Sequence, residues 1–210
     1  MNKLLCKLGF ALFLLFNSSI SYSSQISNIS IDGFSIGDSL LDFIKEDEIL
    51  KQAKKTRMHY QYLREPSKFL HIYLYKDFPI YDYVSFFIKK GKSGGDHFQI
   101  KNEYKISGIR GEISFYNDFN GCLKKKEEVI KEVVTKFPGT IQKESINLEH
   151  PLDTSGRSVV EYTDIIFDNG DAIQLSCNDW EEGFRIKNNY SEGFTFTLHT
   201  KEVISWLENY

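Results

Sequence analysis

Proline is scarce in this chain, and positive charge is in the minority. Only 4 prolines stand beside 17 Phe and 12 Tyr in 210 residues. That balance excludes a disordered chain and points to a folded, strand-rich domain. Asp and Glu total 29 and Lys and Arg 26, a formal net charge of −3. An acidic chain is not built to hold nucleic acid through its phosphates. Metal and nucleophile motifs are missing as well. None of the 5 histidines (His59, His71, His97, His150, His199) stands in an HExxH or other local ligand pair. No GxSxG elbow marks a serine hydrolase. Gly91-Lys92-Ser93 echoes the end of a phosphate-cradling loop. However, Phe86 occupies the place of that loop's first glycine, and a strand-like segment follows it rather than a helix. No metal or cofactor is expected from these patterns.

The apolar run near the N-terminus, Leu8 to Phe16, is too short for a membrane span, which needs about 20 apolar residues. It follows Lys3 and Lys7 and precedes a polar stretch of small residues, Asn17 to Ser24. Positive, apolar and small-residue regions in that order make a secretory signal peptide. Ser21 and Ser23 offer the small side chains that a signal peptidase accepts. Residues 1–23 are therefore expected to be removed, leaving 24–210 as one mature domain in the periplasm or outside the cell. A buried N-terminal helix and a retained anchor are the alternatives. Cys6 lies before the apolar run, not at the cleavage point, so it is misplaced for lipid attachment. Cleavage removes Lys3 and Lys7 and no acid, which makes the mature domain more acidic than the whole chain.

Cys122 and Cys177 remain after cleavage. An even pair in an exported chain predicts a disulfide, with two separate buried thiols as the alternative. The loop it closes, about 55 residues, would be worth about 4 kcal/mol by chain entropy. Cys122 opens a predicted helix and Cys177 ends a predicted strand, so the bond would staple helix to sheet.

Periodicity divides the rest into two passes, 24–118 and 119–210, of similar element order. The first starts with a strand over Ile26 to Phe34 and a helix capped by Asp38 or Ser39, burying Leu40, Leu41, Ile44, Ile49 and Leu50. Strands follow over Lys68 to Tyr75, Ile80 to Lys89 and Glu103 to Tyr116, the last bent at Gly108 or Gly111. A glycine-rich loop, Lys89 to Asp96, precedes that last strand. The second pass has a helix over Gly121 to Phe137, with Leu123, Val129, Ile130, Val133, Val134 and Phe137 as its apolar stripe and Lys124 to Lys126 on its wet side. A polar loop leads to strands Val159 to Phe167 and Ala172 to Cys177, joined by the Asn-Gly turn of Asp168 to Asp171. Glu192 to Leu198 is the last strand, and Thr200 caps a closing helix to Leu207. The expected class is α+β: antiparallel sheet with helices on one face, an α-β-β-β order given twice, and a C-terminal helix. Whether the passes share one sheet or pack as two stays open at this level.

The segment Ile31 to Phe43 (IDGFSIGDSLLDF) resembles the strand, turn and helix start of small exported envelope proteins. Its likeness is to the helix-and-sheet repeats of the outer-membrane assembly lipoprotein BamE and of the β-lactamase-inhibitor protein family. Asp38 departs from the methionine usual there, and no lipid-attachment cysteine is present. Over its whole length, including GCLKKKEEVIKE and FDNGD, the chain resembles an uncharacterised family of exported bacterial proteins. The resemblance implies a periplasmic binding or scaffolding role without catalytic residues.

Alternation places His71, Tyr73 and Tyr75 on one strand face, and Tyr81, Tyr83, Ser85 and Phe87 on one face of the next. A hairpin would bring the tyrosines together. Tyrosine offers area and a hydroxyl at low entropy cost, which suits capture of a protein, a peptide or a glycan of the cell envelope. His71, Tyr73, Tyr75, Tyr81 and Tyr83 are the candidate ligand-binding residues; the alternative is that helices cover this face. Asp164, Asp168, Asp171, Asp179, Glu181 and Glu182 crowd one region, but their order does not match an EF-hand loop, and they read as turn residues on a solvated rim. The function expected is a non-enzymatic periplasmic binding module. A small hydrolase-like enzyme without a recognisable motif is the alternative.

Overall fold

The computed structural model describes residues 25–64, 67–89 and 104–209. The expected leader, the glycine-rich loop beyond Lys89, and His97 lie outside the described residues. A 3-10 turn, Gln25–Asn28, leads into a minimal hairpin of β1 (Ser30–Ile31) and β2 (Phe34–Ser35). Asp32 and Gly33 at its tip have φ of 48° and 87°, the positive values a two-residue hairpin turn requires. The single strand expected over Ile26 to Phe34 is thus folded back on itself.

Helix α1 (Glu46–His59) starts later than Ser39 predicts, because Leu40–Asp42 forms a separate 3-10 turn. Glu46, Asp47 and Glu48 open α1 and Arg57 and His59 close it, the charge order its dipole favours. Leu40 and Ile49 are buried, whereas Leu41 and Leu50 are exposed.

Then come β3 (Phe69–Leu74), β4 (Tyr83–Lys89) and β5 (Ile106–Ser114), and α2 (Phe119–Lys136) follows. The Asp118 side chain caps α2 by accepting a hydrogen bond from the Gly121 N–H at 2.9 Å. Strand β6 (Ile141–Glu149) occupies the region read from sequence as a polar loop. Among the described residues it pairs only with β7 (Val159–Ile166), and it leaves Ile141, Ile146 and Leu148 exposed. An edge strand with no buried face carries no alternation to detect. Strand β8 (Ala172–Asp179) returns from β7 through the predicted Asn-Gly turn, with Gly170 at φ 85°. A short α3 (Glu182–Asn188), β9 (Gly193–His199) and α4 (Lys201–Leu207) complete the chain. Thr200 caps α4 as expected, accepting from the Val203 N–H.

The fold is α+β, and β3 to β9 form one antiparallel seven-stranded sheet in the order β3-β4-β5-β9-β8-β7-β6. The two passes therefore share one continuous sheet, joined where β5 pairs with β9. One face carries the main core. Ile72, Val84, Phe86, Ile109, Ile173, Leu175, Phe194 and Leu198 point there and are buried. Helix α1 contributes Ile49 and Ala53, and the β1–β2 hairpin lays Phe34 against Phe86, with ring centroids 4.8 Å apart.

The predicted stripe of α2 packs on the same core. Cys122 and Cys177 are bonded, with Cα atoms 5.9 Å apart, so helix is stapled to sheet as the sequence predicts. One residue of the expected wet side differs. Lys126 is buried, and its Nζ reaches Glu161 on β7 at 3.2 Å. The helix lies so close over β7 that this lysine meets a carboxylate before it meets water.

A smaller cluster sits on the opposite face. Phe69, Phe87 and Val203 are buried there, with Tyr62, Trp206 and Leu207 against them. The short α4 thus folds onto the side away from the two long helices. Among the described residues no helix is long and apolar enough to cross a membrane.

Candidate functional site

Pairing register builds a site on the face away from the main core. On β3 and β4, His71 stands opposite Phe87 and Tyr73 opposite Ser85. Between β4 and β5, Ser85 faces Arg110 and Tyr83 faces Glu112. Between β5 and β9, Gly108 faces His199, Arg110 faces Thr197 and Glu112 faces Thr195. Residues directly opposite share a face, so rings, a guanidinium, a carboxylate and hydroxyls converge. Gly108 makes room for this: a Cβ there would come within 2.9 Å of His199 Cδ2 and 3.1 Å of the Phe87 ring.

The rings form a connected wall. Tyr73 lies 5.8 Å from Tyr83 and 6.1 Å from Tyr75, and Tyr75 lies 5.4 Å from Tyr83. His71 bridges Tyr73 at 4.5 Å to Phe87 at 4.4 Å. Tyr60 and Tyr62, from the turn after α1, fold over one end, and Trp206 of α4 packs against Tyr62 and Phe87. Helices and turns therefore cover part of the face and leave part open. His71 is 6% exposed, whereas Tyr75 is 69% exposed. Hydroxyls tie the wall together. Tyr60 and Tyr73 share a hydrogen bond of 2.9 Å, and Tyr62 meets His71 Nδ1 at 3.4 Å.

Four of the five residues singled out in the sequence, His71, Tyr73, Tyr75 and Tyr83, meet here. Tyr81 does not. Strand β4 begins at Tyr83, so alternation does not extend back to Tyr81. The Tyr81 ring instead lies over Gly111 on the core side, where a Cβ would approach Tyr81 Cδ1 to 2.5 Å. Burial, then the nearby carboxylates Asp32 and Glu132, raise its phenol pKa to about 12.

The centre of the site is an ion pair. Arg110 Nη2 donates to Glu112 Oε2 at 2.8 Å, and the Tyr83 hydroxyl donates to the same oxygen. Tyr83 also meets Ser191 Oγ at 3.2 Å. Glu112 is 1% exposed. Arg110 is crowded by neighbours yet keeps 39% of its side chain open to solvent. Burial alone would lower its pKa. Glu112, Tyr83 and Tyr73 outweigh that and raise it, so Arg110 stays charged. Two atoms of this pair, Arg110 Nε and Glu112 Oε1, are buried without a hydrogen-bond partner among the described residues.

Burial, with Arg110 adding to it, lowers the His71 pKa to about 3 and that of His199 to about 4. Both rings are neutral at neutral pH. Burial raises the Tyr62, Tyr73 and Tyr83 pKa values above the usual phenol range. The site is thus polar but locally without net charge.

No family model, curated protein or solved structure matches this chain. Its site is therefore defined by geometry alone.

A second ring cluster borders the first. Trp180 packs between His150 at 3.9 Å and Tyr190 at 4.8 Å, with Phe184 of α3 at 5.7 Å. Its indole N–H donates to the Ser191 carbonyl at 2.9 Å, which links this cluster to Tyr83 through Ser191. Between them a hydroxyl pair, Ser176 and Thr195 at 2.5 Å, lines the sheet. Of the acidic residues expected on a rim, Asp171 accepts from Asn169 and from the Lys201 N–H, Glu181 caps α3, and Asp164 and Asp179 lie in β7 and β8. Among the described residues no group of three or more His, Cys, Asp or Glu is placed to hold a metal ion.

Arg110 and Glu112 escaped the reading of the sequence, yet a signal was present. In ISGIRGEIS they are the only charges, two residues apart and hence on one face of a central strand. Charged groups are seldom fully buried unless paired. Tyr60, Tyr62, His199 and Trp206 reach the site through tertiary packing, which no local spacing announces.

Proposed function

We propose that the protein is an exported binding module that holds a ligand or partner of the cell envelope against this Tyr-rich sheet face. The observation that carries the reading is the half-open ring wall around Arg110. Tyr75 and part of the Arg110 side chain remain accessible while the groups beneath them are locked by hydrogen bonds. Preorganised rings beside one directional polar centre suit recognition, because little order is lost on binding. The buried Cys122–Cys177 bond supports an oxidising compartment, where such bonds persist. The N-terminal pattern of Lys3, Lys7, the Leu8 to Phe16 run and Ser23 supplies the export signal.

Two measurements test this. Mass spectrometry of the native protein is expected to find an N-terminus close to Ser24, and intact residues 1–23 on the native protein would end the export reading. Photo-crosslinking from position 75 in the native envelope is expected to trap a defined partner that crosslinking from exposed Leu50 does not. Identical capture from both positions would remove the face from consideration.

A hydrolase-like enzyme is the second reading, and one feature favours it. Glu112 is a buried carboxylate with an unpartnered oxygen, and the hydroxyl-bearing Tyr83 and Thr195 stand opposite it on the neighbouring strands. Such a group can take a proton from a bound substrate. Turnover of an envelope substrate that Glu112→Gln abolishes, with binding retained, would favour this reading over the first.

A further inference from the structure

We infer that the ligand of this face is an uncharged saccharide, an inference that rests on the binding reading above. The choice follows from what the face offers. Its one strong cation is already engaged: Arg110 donates to Glu112 at 2.8 Å, so the pair brings no net charge to the floor. An anionic ligand would have to compete with a buried carboxylate for the guanidinium. A cationic ligand would meet the exposed edge of Arg110 first. Neutral His71 and His199 add polarity without charge.

The unpartnered atoms narrow the chemistry. Arg110 Nε is a donor and Glu112 Oε1 an acceptor, both buried and both within one ion pair. A carboxylate serves only the donor, and an ammonium only the acceptor. A hydroxyl accepts from one and donates to the other through a single oxygen. A hydroxyl that reached both atoms would satisfy them together, and each is costly to leave unpaired. Neighbouring hydroxyls of a sugar ring then face Tyr83, Ser191 and the Ser176–Thr195 pair.

The ring wall supplies the other half of the match. Tyr73 and Tyr75 are stacked within 10° of parallel, and Tyr75 is 69% exposed. The apolar C–H face of a pyranose packs on such a surface while its hydroxyl edge points to the floor. A peptide also carries donors and acceptors, but on separate atoms that point apart, which fits a shared donor–acceptor pair less well.

Saturation-transfer NMR of the native mature protein tests the inference. The probes are pooled di- to tetrasaccharides: neutral hexose and N-acetylhexosamine oligomers, uronate and sulfated oligomers, and amine-bearing oligomers, with a tripeptide library as a separate arm. Neutral oligomers are expected to bind with Kd below about 1 mM and at least about tenfold tighter than charged ones. Tyr75→Ala is expected to weaken that binding about tenfold at unchanged Tm, and Arg110→Lys to weaken it at least as much. Preference for charged oligomers, or neutral binding that Tyr75→Ala leaves intact, would overturn the inference. So would the absence of any saccharide signal. Tripeptide binding that depends on Tyr75, with no saccharide signal, would sink the saccharide while leaving the binding face standing. Tripeptide binding independent of Tyr75, with no saccharide signal, would sink both.

Discussion

The two faces of the single sheet are built on opposite plans. The core face is filled by aliphatic and phenylalanine side chains, roofed by α1 and α2, and fastened by a disulfide. The other face is ringed by Tyr, His and Trp, holds an ion pair at its centre, and is covered at one end by α4 and by Tyr60 and Tyr62. Each face carries a buried carboxylate paired with a cation. Lys126–Glu161 lies beneath a helix at 3.2 Å, with both side chains about as hidden as each other, at 8% and 10% exposed. Arg110–Glu112 is shorter, at 2.8 Å, but its arginine is 39% exposed. The contrast teaches that the first face is closed for stability, whereas the second is held in place yet kept reachable.

The strongest way to break this contrast is to loosen the closed face. Replacing both Cys122 and Cys177 with Ala is expected to cost about 4 kcal/mol in urea unfolding, from the loop that the bond closes. Amide exchange is expected to accelerate in α2 well before β3 and β4 respond. Uniform acceleration would mean that the bond constrains the whole domain and not one face.

Acid is the next probe, and it acts on the open face. His71 and His199 have folded pKa values of about 3 and about 4, both below the ordinary 6.5. On acidification the unfolded chain takes up these protons first. Their contribution is therefore complete above about pH 6.5 and is lost progressively toward pH 4, on the order of 3 kcal/mol for each ring. His71→Gln is expected to flatten the fall in stability between pH 6.5 and 4 by about one proton. An unchanged slope would show that His71 carries no such burden.

Smaller still is the effect expected at the hidden ion pair. Glu161→Ala strands Lys126 under α2 and is expected to cost about 2 kcal/mol, read from the same denaturant curves. Smallest is Tyr75→Ala, expected to change stability by no more than about 0.5 kcal/mol because the ring is exposed. A larger loss would place Tyr75 among the structural rings and reduce the difference between the faces.

Much of the architecture was legible because the relevant signals are local. The α2 stripe, the Asn-Gly turn of β7 and β8, and the Thr200 cap each depend on neighbours in sequence, and each is found in place. The Cys122–Cys177 bond followed from counting. Strand β6 was invisible because an edge strand here buries no face, and α3 because its residues include none that is buried. At the site, period-two alternation placed His71, Tyr73, Tyr75 and Tyr83 correctly together. It failed at Tyr81, where the chain has not yet entered β4 and a bare Gly111 draws the ring to the other side. Arg110 and Glu112 came to the centre through the pairing of β4 with β5, a contact between segments that sequence alone does not bring into register.

The seam between β5 and β9 joins neighbours of the sheet that lie far apart in the chain. Helix α2, strands β6, β7 and β8, and α3 all intervene between these two partners. Closing so long a loop is entropically unfavourable and comes before any pairing reward, which makes such contacts slow to form. Until Gly193 to His199 docks, β5 and β8 each present an unpaired border, the form in which chains join their neighbours by mistake. The last strand made is thus the keystone: a chain cut short before it would hold two partial sheets and no shared floor for Arg110 and Thr197.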